Sequence, residues 1–196
     1  MGAYNMRQTL NILLVGVGGQ GTILASKFIS QVAIDANYDV KMSEIKGMSQ
    51  RGGSVVTQVR IGDHIASPTI DKGEADYIVS FEQLEGYRWA EYLKPHGRII
   101  INQQQIEPMP VIMGLSKYPE QIIDKLEAVG IAVDSINALA IALECGTSKA
   151  ANIVLMGYLA KQLPVEQAIW QAALNKIIPE RFLEINQRAF ETGYQL

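Results

Sequence analysis

The stretch Leu10–Ala36, LNILLVGVGGQGTILASKFISQVAIDA, decides the fold. Leu10, Ile12, Leu13, Leu14 and Val15 make an apolar run of the length of one buried strand. Gly16-Val17-Gly18-Gly19-Gln20-Gly21 follows at once, and glycines let a chain turn tightly through positive φ. Beyond the turn, Ala25, Phe28, Ile29, Val32, Ala33 and Ala36 recur at the three-and-four spacing of one helix face. Strand, glycine turn and packed helix together open a doubly wound α/β domain. The turn fits G-x-G-x-x-G through Gly16, Gly18 and Gly21, with Gly19 as an additional glycine, in the strand-to-helix context that gives the pattern weight. By itself it names no ligand.

The same rhythm continues downstream. Val40 to Ile45 reads as a second strand, with Glu44 near the end where a dinucleotide-binding domain places the acid that bonds ribose hydroxyls. A solvated or lysine-paired carboxylate is the alternative reading of Glu44. Lys46 to Gly53 combines three glycines with the guanidinium of Arg51, a combination suited to carboxylate or phosphate. Ser54–Ile61 is β-rich, and Gly62-Asp63 suits a hairpin turn with His64-Ile65-Ala66 as the return, which predicts a partly mixed sheet. His64 then falls on the surface. Tyr77–Phe81 and Arg98–Asn102 read as further buried strands flanking a helix over Glu82–Glu91. Residues 103–118 are irregular, with a short strand expected around Val111-Ile112-Met113. A helix from Pro119 ends at Gly130, and Ile131-Ala132-Val133 is a short strand. From Ser135 onward the pattern is helical, and these helices either cover the sheet or offer apolar surface to another subunit. The fold class is therefore α/β: a three-layer, Rossmann-like arrangement with a mostly parallel, partly mixed sheet and a helical C-terminal region.

Composition narrows the function. The 196 residues carry a net charge of -3, which gives no electrostatic reason to expect nucleic acid or an anionic membrane. The N-terminal MGAYNMRQTL lacks the apolar core of a signal peptide, and no apolar run approaches the ~20 residues that cross a bilayer, so a cytoplasmic protein is expected. Cys145 is the sole cysteine, too few for a disulfide framework or for the four thiolates of an iron–sulfur cluster. It reads as a small buried residue. His64 and His96 are the only histidines and lie far apart, which argues against a zinc site or a Ser-His-Asp triad; no metal site is expected. The equipment for independent catalysis is thin.

Where the glycine turn is joined by Gln50-Arg51-Gly52-Gly53, the chain resembles a known family. GVGGQG at Gly16–Gly21, EIKGMSQRGGSV at Glu44–Val55, SPTIDKGEAD at Ser67–Asp76, YLKPHGRIIIN at Tyr92–Asn102 and AANIVLMGYL at Ala150–Leu159 are similar to the gamma-type domain of 2-oxoacid:ferredoxin oxidoreductases. The 47–53 segment, GMSQRGG, most resembles the small (beta) subunits of the indolepyruvate branch, where pyruvate-type relatives look different. The resemblance runs over nearly the whole chain and implies a single gamma-type domain, residues 1–196, with an α/β core to about 135 and helices from 136 packing on it. The implied reaction is oxidative decarboxylation of an aryl pyruvate to an acyl-CoA with reduction of ferredoxin. It implies thiamine diphosphate, magnesium and iron–sulfur clusters on a larger partner subunit, and this chain shows no thiamine-type GDG motif of its own. The chain is then a subunit that completes the enzyme without catalysing alone, reaching ferredoxin through the holoenzyme. Alone, the chain either stays single or forms a homodimer through apolar surface meant for the partner, which the sequence does not decide.

Two site expectations follow. Gly16, Gly18, Gly19, Gln20 and Gly21, with the helix N-terminus behind them, either hold an anion such as a coenzyme A phosphate or only permit tight strand–helix packing. No acidic residue stands in Thr22–Ala25 to repel an anion. Ser49, Gln50 and Arg51 either face the partner's active site, meeting the substrate carboxylate, or pin the loop or the subunit interface. Two rival functions share the glycine pattern. An E1-like or ThiF-like adenylating enzyme wants a nucleophilic or zinc-binding cysteine set that is missing, and an NAD-binding protein wants a hydride-transfer motif that is missing too. A non-catalytic structural subunit is the third alternative.

Overall fold

The computed structural model describes residues 9–46 and 53–196. The strands are β1 (Leu10–Val17), β2 (Asp39–Lys46), β3 (Ser54–Gly62), β4 (Ala75–Ser80), β5 (Leu93–Asn102) and β6 (Ala132–Ile136). The helices are α1 (Thr22–Asp35), α2 (Gln83–Trp89), α3 (Met109–Ile112), α4 (Ile122–Ala128), α5 (Ala138–Glu144), α6 (Ala151–Gln162), α7 (Gln167–Ile177) and α8 (Glu180–Gln195). Among these residues, no helix is long and apolar enough to cross a membrane.

The six strands lie in the order β2-β3-β1-β4-β5-β6. β1, β4, β5 and β6 are parallel, while β3 runs antiparallel to both β1 and β2. The sheet is mixed, as expected, but not through the turn at Gly62. β3 continues to Gly62 and no return strand forms at His64-Ile65-Ala66, because β1 and β2 already occupy both of its hydrogen-bonding edges. Ile65 is instead buried, its amide donating to Asp39 Oδ2 at 2.9 Å, and His64 is exposed. A second expectation fails at Val111-Ile112-Met113. Pro108 and Pro110 preset φ for a helical start, so the segment winds into the single turn of α3 and stops at Gly114 (φ 72°).

Both faces of the central strands are covered, so Ile12 to Val15 of β1 are an unbroken apolar run and fully buried. Ile12 and Leu14 face one core with Phe28 of α1, Ile153 of α6, Trp170 of α7 and Phe190 of α8. Leu13 and Val15 face the other, with Leu84 of α2 and Ile122 and Leu126 of α4. In the larger core the Phe28 ring meets Trp170 edge-on at 5.4 Å and Phe190 at 5.8 Å. α6 and α8 cross at two glycines. A Cβ on Gly157 would lie 2.2 Å from the Phe190 carbonyl, and one on Gly193 would lie 2.1 Å from the Val154 carbonyl.

Candidate functional site

At the carboxyl end of the parallel strands, α1 leaves β1 toward one face and α2 follows β4 on the other. The divergence opens the crevice in which α/β sheets take ligands. The glycine turn forms one wall. Gly19 (φ 102°) and Gly21 (φ 83°) are both left-handed, and Gly21 caps α1 without any side chain to satisfy the helix amides. The first helical rung runs from the Ala25 amide to the Gly21 carbonyl at 3.0 Å. The amides of Thr22, Ile23 and Leu24 are therefore those an uncapped helix start leaves over. No acid stands in that turn.

The other wall is the 3-10 turn Ser148–Ala150 leading into α6. Thr147 Oγ1 accepts from the Lys149 amide at 3.3 Å, and α6 also starts with neither a side-chain cap nor an acidic residue. Asn152 ties the walls together, its Nδ2 donating to the Gly21 carbonyl at 3.2 Å. Between them lies a cleft of about 410 Å³, edged by Leu24, Leu139, Gln104 and the exposed Lys149, with no acidic residue among its lining. The uncapped start of α1 and the Lys149 ammonium make this a positive concavity, suited to a phosphate or carboxylate.

The floor is built from amides. Gln20 Oε1 accepts from the Val17 amide at 2.9 Å, and Gln20 Nε2 donates to the Phe81 carbonyl at 2.9 Å and to Gln104 Oε1 at 3.2 Å. Asn102, fully enclosed at the end of β5, donates to the Phe81 carbonyl at 3.1 Å and accepts from the Ala138 amide that begins α5. Beside this floor, Glu82 is buried one residue past Phe81. Its carboxylate accepts from the Glu85 amide at 3.0 Å, the Ile106 amide at 3.1 Å and the Tyr118 hydroxyl. Burial and the adjacent carboxylate push the Tyr118 hydroxyl well above the ordinary tyrosine range. Glu85 in turn accepts from Ser54 Oγ at 2.5 Å and pairs with Arg88 at 2.6 Å, fastening the start of β3 to α2.

The expected site residues fare differently. Gly19 and Gly21 line the cleft. Gly18 turns its amide to the Gly53 carbonyl at 3.0 Å, and the Gln20 amide meets the Val17 carbonyl at 3.3 Å, so neither faces a ligand. Gly16 packs under the Gln20 side chain. Glu44 lies opposite Thr57 of β3, and β3 separates β2 from β1, so Glu44 sits two strand spacings, roughly 10 Å, from the turn. A ribose bound over the glycines is out of its reach. Ser49, Gln50 and Arg51 lie outside the described residues. Cys145 is buried, with Sγ 3.9 Å from Thr192 Oγ1. Sequence reasoning did not single out Asn102, Gln104, Ser148, Lys149 or Asn152. The one available signal was Asn152, a lone amide in the otherwise apolar run Ala150–Leu159. Among the described residues no group of three His, Cys, Asp or Glu side chains is placed to hold a metal ion.

The model of the pyruvate ferredoxin/flavodoxin oxidoreductase family matches residues 11–196. The indolepyruvate oxidoreductase subunit IorB of Archaeoglobus fulgidus is 37% identical over 94% of each chain. Its counterpart from Thermococcus kodakarensis is 35% identical over 93% of each. Among solved structures, the 2-oxoglutarate:ferredoxin oxidoreductase of Magnetococcus marinus, with 2-oxoglutarate, coenzyme A and succinyl-CoA bound, superposes with a TM-score of 0.73. That match is 20% identical and covers 96% of this chain and 31% of the larger one. The chain belongs to the pyruvate ferredoxin/flavodoxin oxidoreductase family.

Proposed function

We propose that this chain is the small subunit of an indolepyruvate ferredoxin oxidoreductase, working in the cytoplasm with a larger subunit that holds thiamine diphosphate, magnesium and iron–sulfur clusters. The observation that carries this reading is the 35–37% identity to IorB subunits over nearly the whole of both chains. The reaction is oxidative decarboxylation of an aryl pyruvate to its acyl-CoA, with the electrons leaving to ferredoxin through the partner's clusters. Residues 1–196 act as one gamma-type domain in that assembly.

On this reading the cleft holds a phosphate of coenzyme A. The donor set fits the group: the uncapped start of α1 at Gly21 and Leu24, with Ser148 and Lys149 opposite, borders a space with no acid in its lining. Leu24 and Leu139 supply apolar flanks. The chain's own part is to bind and orient this end of the acyl acceptor while the partner supplies the reacting centre. The 49–51 segment, with the Arg51 guanidinium, meets the substrate carboxylate or closes the partner's cavity. Gly53, two positions after Arg51, accepts from the Gly18 amide of the glycine turn at 3.0 Å.

Co-expression with the large subunit tests the reading. The purified complex should reduce ferredoxin faster with indolepyruvate or phenylpyruvate than with pyruvate or 2-oxoglutarate, and only with coenzyme A present. Equal or faster turnover of the small 2-oxoacids would remove the aryl assignment.

A further inference from the structure

In a parallel sheet, each strand alternately donates to and accepts from its neighbour at regular intervals. β1 and β4 keep that succession up to the bond from the Phe81 amide to the Val15 carbonyl, 2.8 Å long. The next rung would carry the Val17 amide to the Phe81 carbonyl. That rung is interrupted. The Val17 amide donates to Gln20 Oε1 and Gln20 Nε2 donates to the Phe81 carbonyl, each at 2.9 Å. The planar carboxamide of Gln20, with one acceptor and one donor facing opposite ways, stands in the ladder as an extra peptide unit would. Both backbone groups stay satisfied, so the interruption leaves no orphaned polar atom. Its remaining amide hydrogen goes to Gln104 Oε1, and Asn102 shares the Phe81 carbonyl. Gly16 makes room for it: a Cβ there would lie 2.8 Å from Gln20 Oε1 and 3.1 Å from Phe81 Cβ.

We propose that Gln20 is a wedge and a positioning residue: its carboxamide holds the carboxyl ends of β1 and β4 apart and thereby sets the width of the cleft for a phosphate-bearing ligand. The insertion stands on geometry alone, while its consequence for coenzyme A rests on the reading of the cleft given above. Without the side chain, the Val17 amide and the Phe81 carbonyl bond each other directly. The glycine turn then moves toward β4, and the α1 amides turn away from Lys149 across the cleft.

The test has a structural arm and a kinetic arm. In the wild-type chain, a through-hydrogen-bond scalar coupling joins the Val17 amide nitrogen to the side-chain carbonyl carbon of Gln20; its absence overturns the insertion, whatever the fate of any variant. In Gln20→Ala the same amide couples to the backbone carbonyl of Phe81. If that coupling does not appear in the folded variant, the strands are not being held apart and the wedge is overturned. In the assembled enzyme, Gln20→Ala raises the KM for coenzyme A about tenfold, with the KM for the 2-oxoacid unchanged, the loss expected when one charge-assisted hydrogen bond is misaligned. A glutamine that only stabilises the fold lowers Tm without this split. Lys149→Ala separates the two claims. If it raises the coenzyme A KM and Gln20→Ala does not, cleft width is refuted while the coenzyme A reading stands. If neither variant changes it, the coenzyme A reading fails.

Discussion

Gly19 and Gly21 share the sign of φ and differ in what surrounds them, so replacing each by alanine separates backbone strain from packing. A Cβ on Gly21 would lie 2.4 Å from Asn152 Nδ2, while one on Gly19 would meet nothing within 4 Å. Either alanine carries the left-handed penalty of about 1–2 kcal/mol. Gly21→Ala must also displace the Asn152 side chain, forfeiting its bond to the Gly21 carbonyl and leaving that buried amide poorly paired, about 1–2 kcal/mol more. The expected losses are about 3 kcal/mol for Gly21→Ala and about 1.5 kcal/mol for Gly19→Ala. For a chain of this size they correspond to melting points lowered by roughly 9 °C and 4 °C. Thermal unfolding followed by circular dichroism reads both, and an Asn152→Ala background completes a double-mutant cycle. There Gly21→Ala should cost only the strain, giving a coupling of about 1.5 kcal/mol. Equal losses for the two glycines, or strict additivity of Gly21→Ala with Asn152→Ala, would refute the account of the two walls being tied at Gly21. Function should divide the other way. The Gly19 methyl points into the open cleft, so the milder variant for stability is the one that obstructs the ligand.

Three further outcomes follow from the same contacts. Lys149→Ala should raise the coenzyme A KM of the complex about tenfold, more at low salt than at high, and change Tm little because the side chain is exposed. Gly157→Ala forces α6 from α8, since its Cβ would lie 2.2 Å from one backbone oxygen and 2.9 Å from the Tyr194 amide; a loss of about 3 kcal/mol in urea unfolding is expected. The Tyr118 hydroxyl, raised by burial and by Glu82, keeps its proton in the folded chain at a pH where the unfolded chain has lost it. Its contribution is therefore whole below the ordinary tyrosine value of 10.0 and falls as pH rises beyond it. Tyr118→Phe should cost about 2 kcal/mol at pH 8, through the lost bond to the buried Glu82, and flatten the alkaline decline of Tm. Tyr77 and Tyr158, raised mainly by burial, leave a residual slope.

Much of the fold could be read in the chain because local and tertiary signals agree there. The Ile12–Val15 run is apolar on both faces and the strand is central. Gly130 (φ 83°) ends its helix where its sequence says it should. The failed hairpin has its cause in strand partners being chosen at long range. Gly62-Asp63 has the chemistry of a hairpin turn, but β3 had spent its second edge on β1, whose partner residues lie 37 to 51 positions away in sequence. The short segment at Met109–Ile112 was misread for a smaller reason: Pro108 and Pro110 outweigh the β-branched side chains of Val111 and Ile112.

The glycine motif itself was legible as a turn and illegible as a site. G-x-G-x-x-G carries its usual meaning when the second strand of the chain lies beside the first, because the acid that reads the ribose then arrives next to the glycines. Here β3 folds back between them, which removes Glu44 from the turn. The Gly18 amide, spent on Gly53, is no longer available to a diphosphate. What remains of the motif is Gly19, Gly21 and the uncapped start of α1, and these open sideways toward the 148–152 turn rather than across the sheet. A ligand there is recognised by α1 and α6 together, through residues about 130 positions apart, as the Gly21–Asn152 bond is. No spacing rule along the chain could have paired them. Gln20, a polar side chain in a turn of small residues, is a second local trace: it takes a rung of the sheet and in doing so forms part of the cleft's floor.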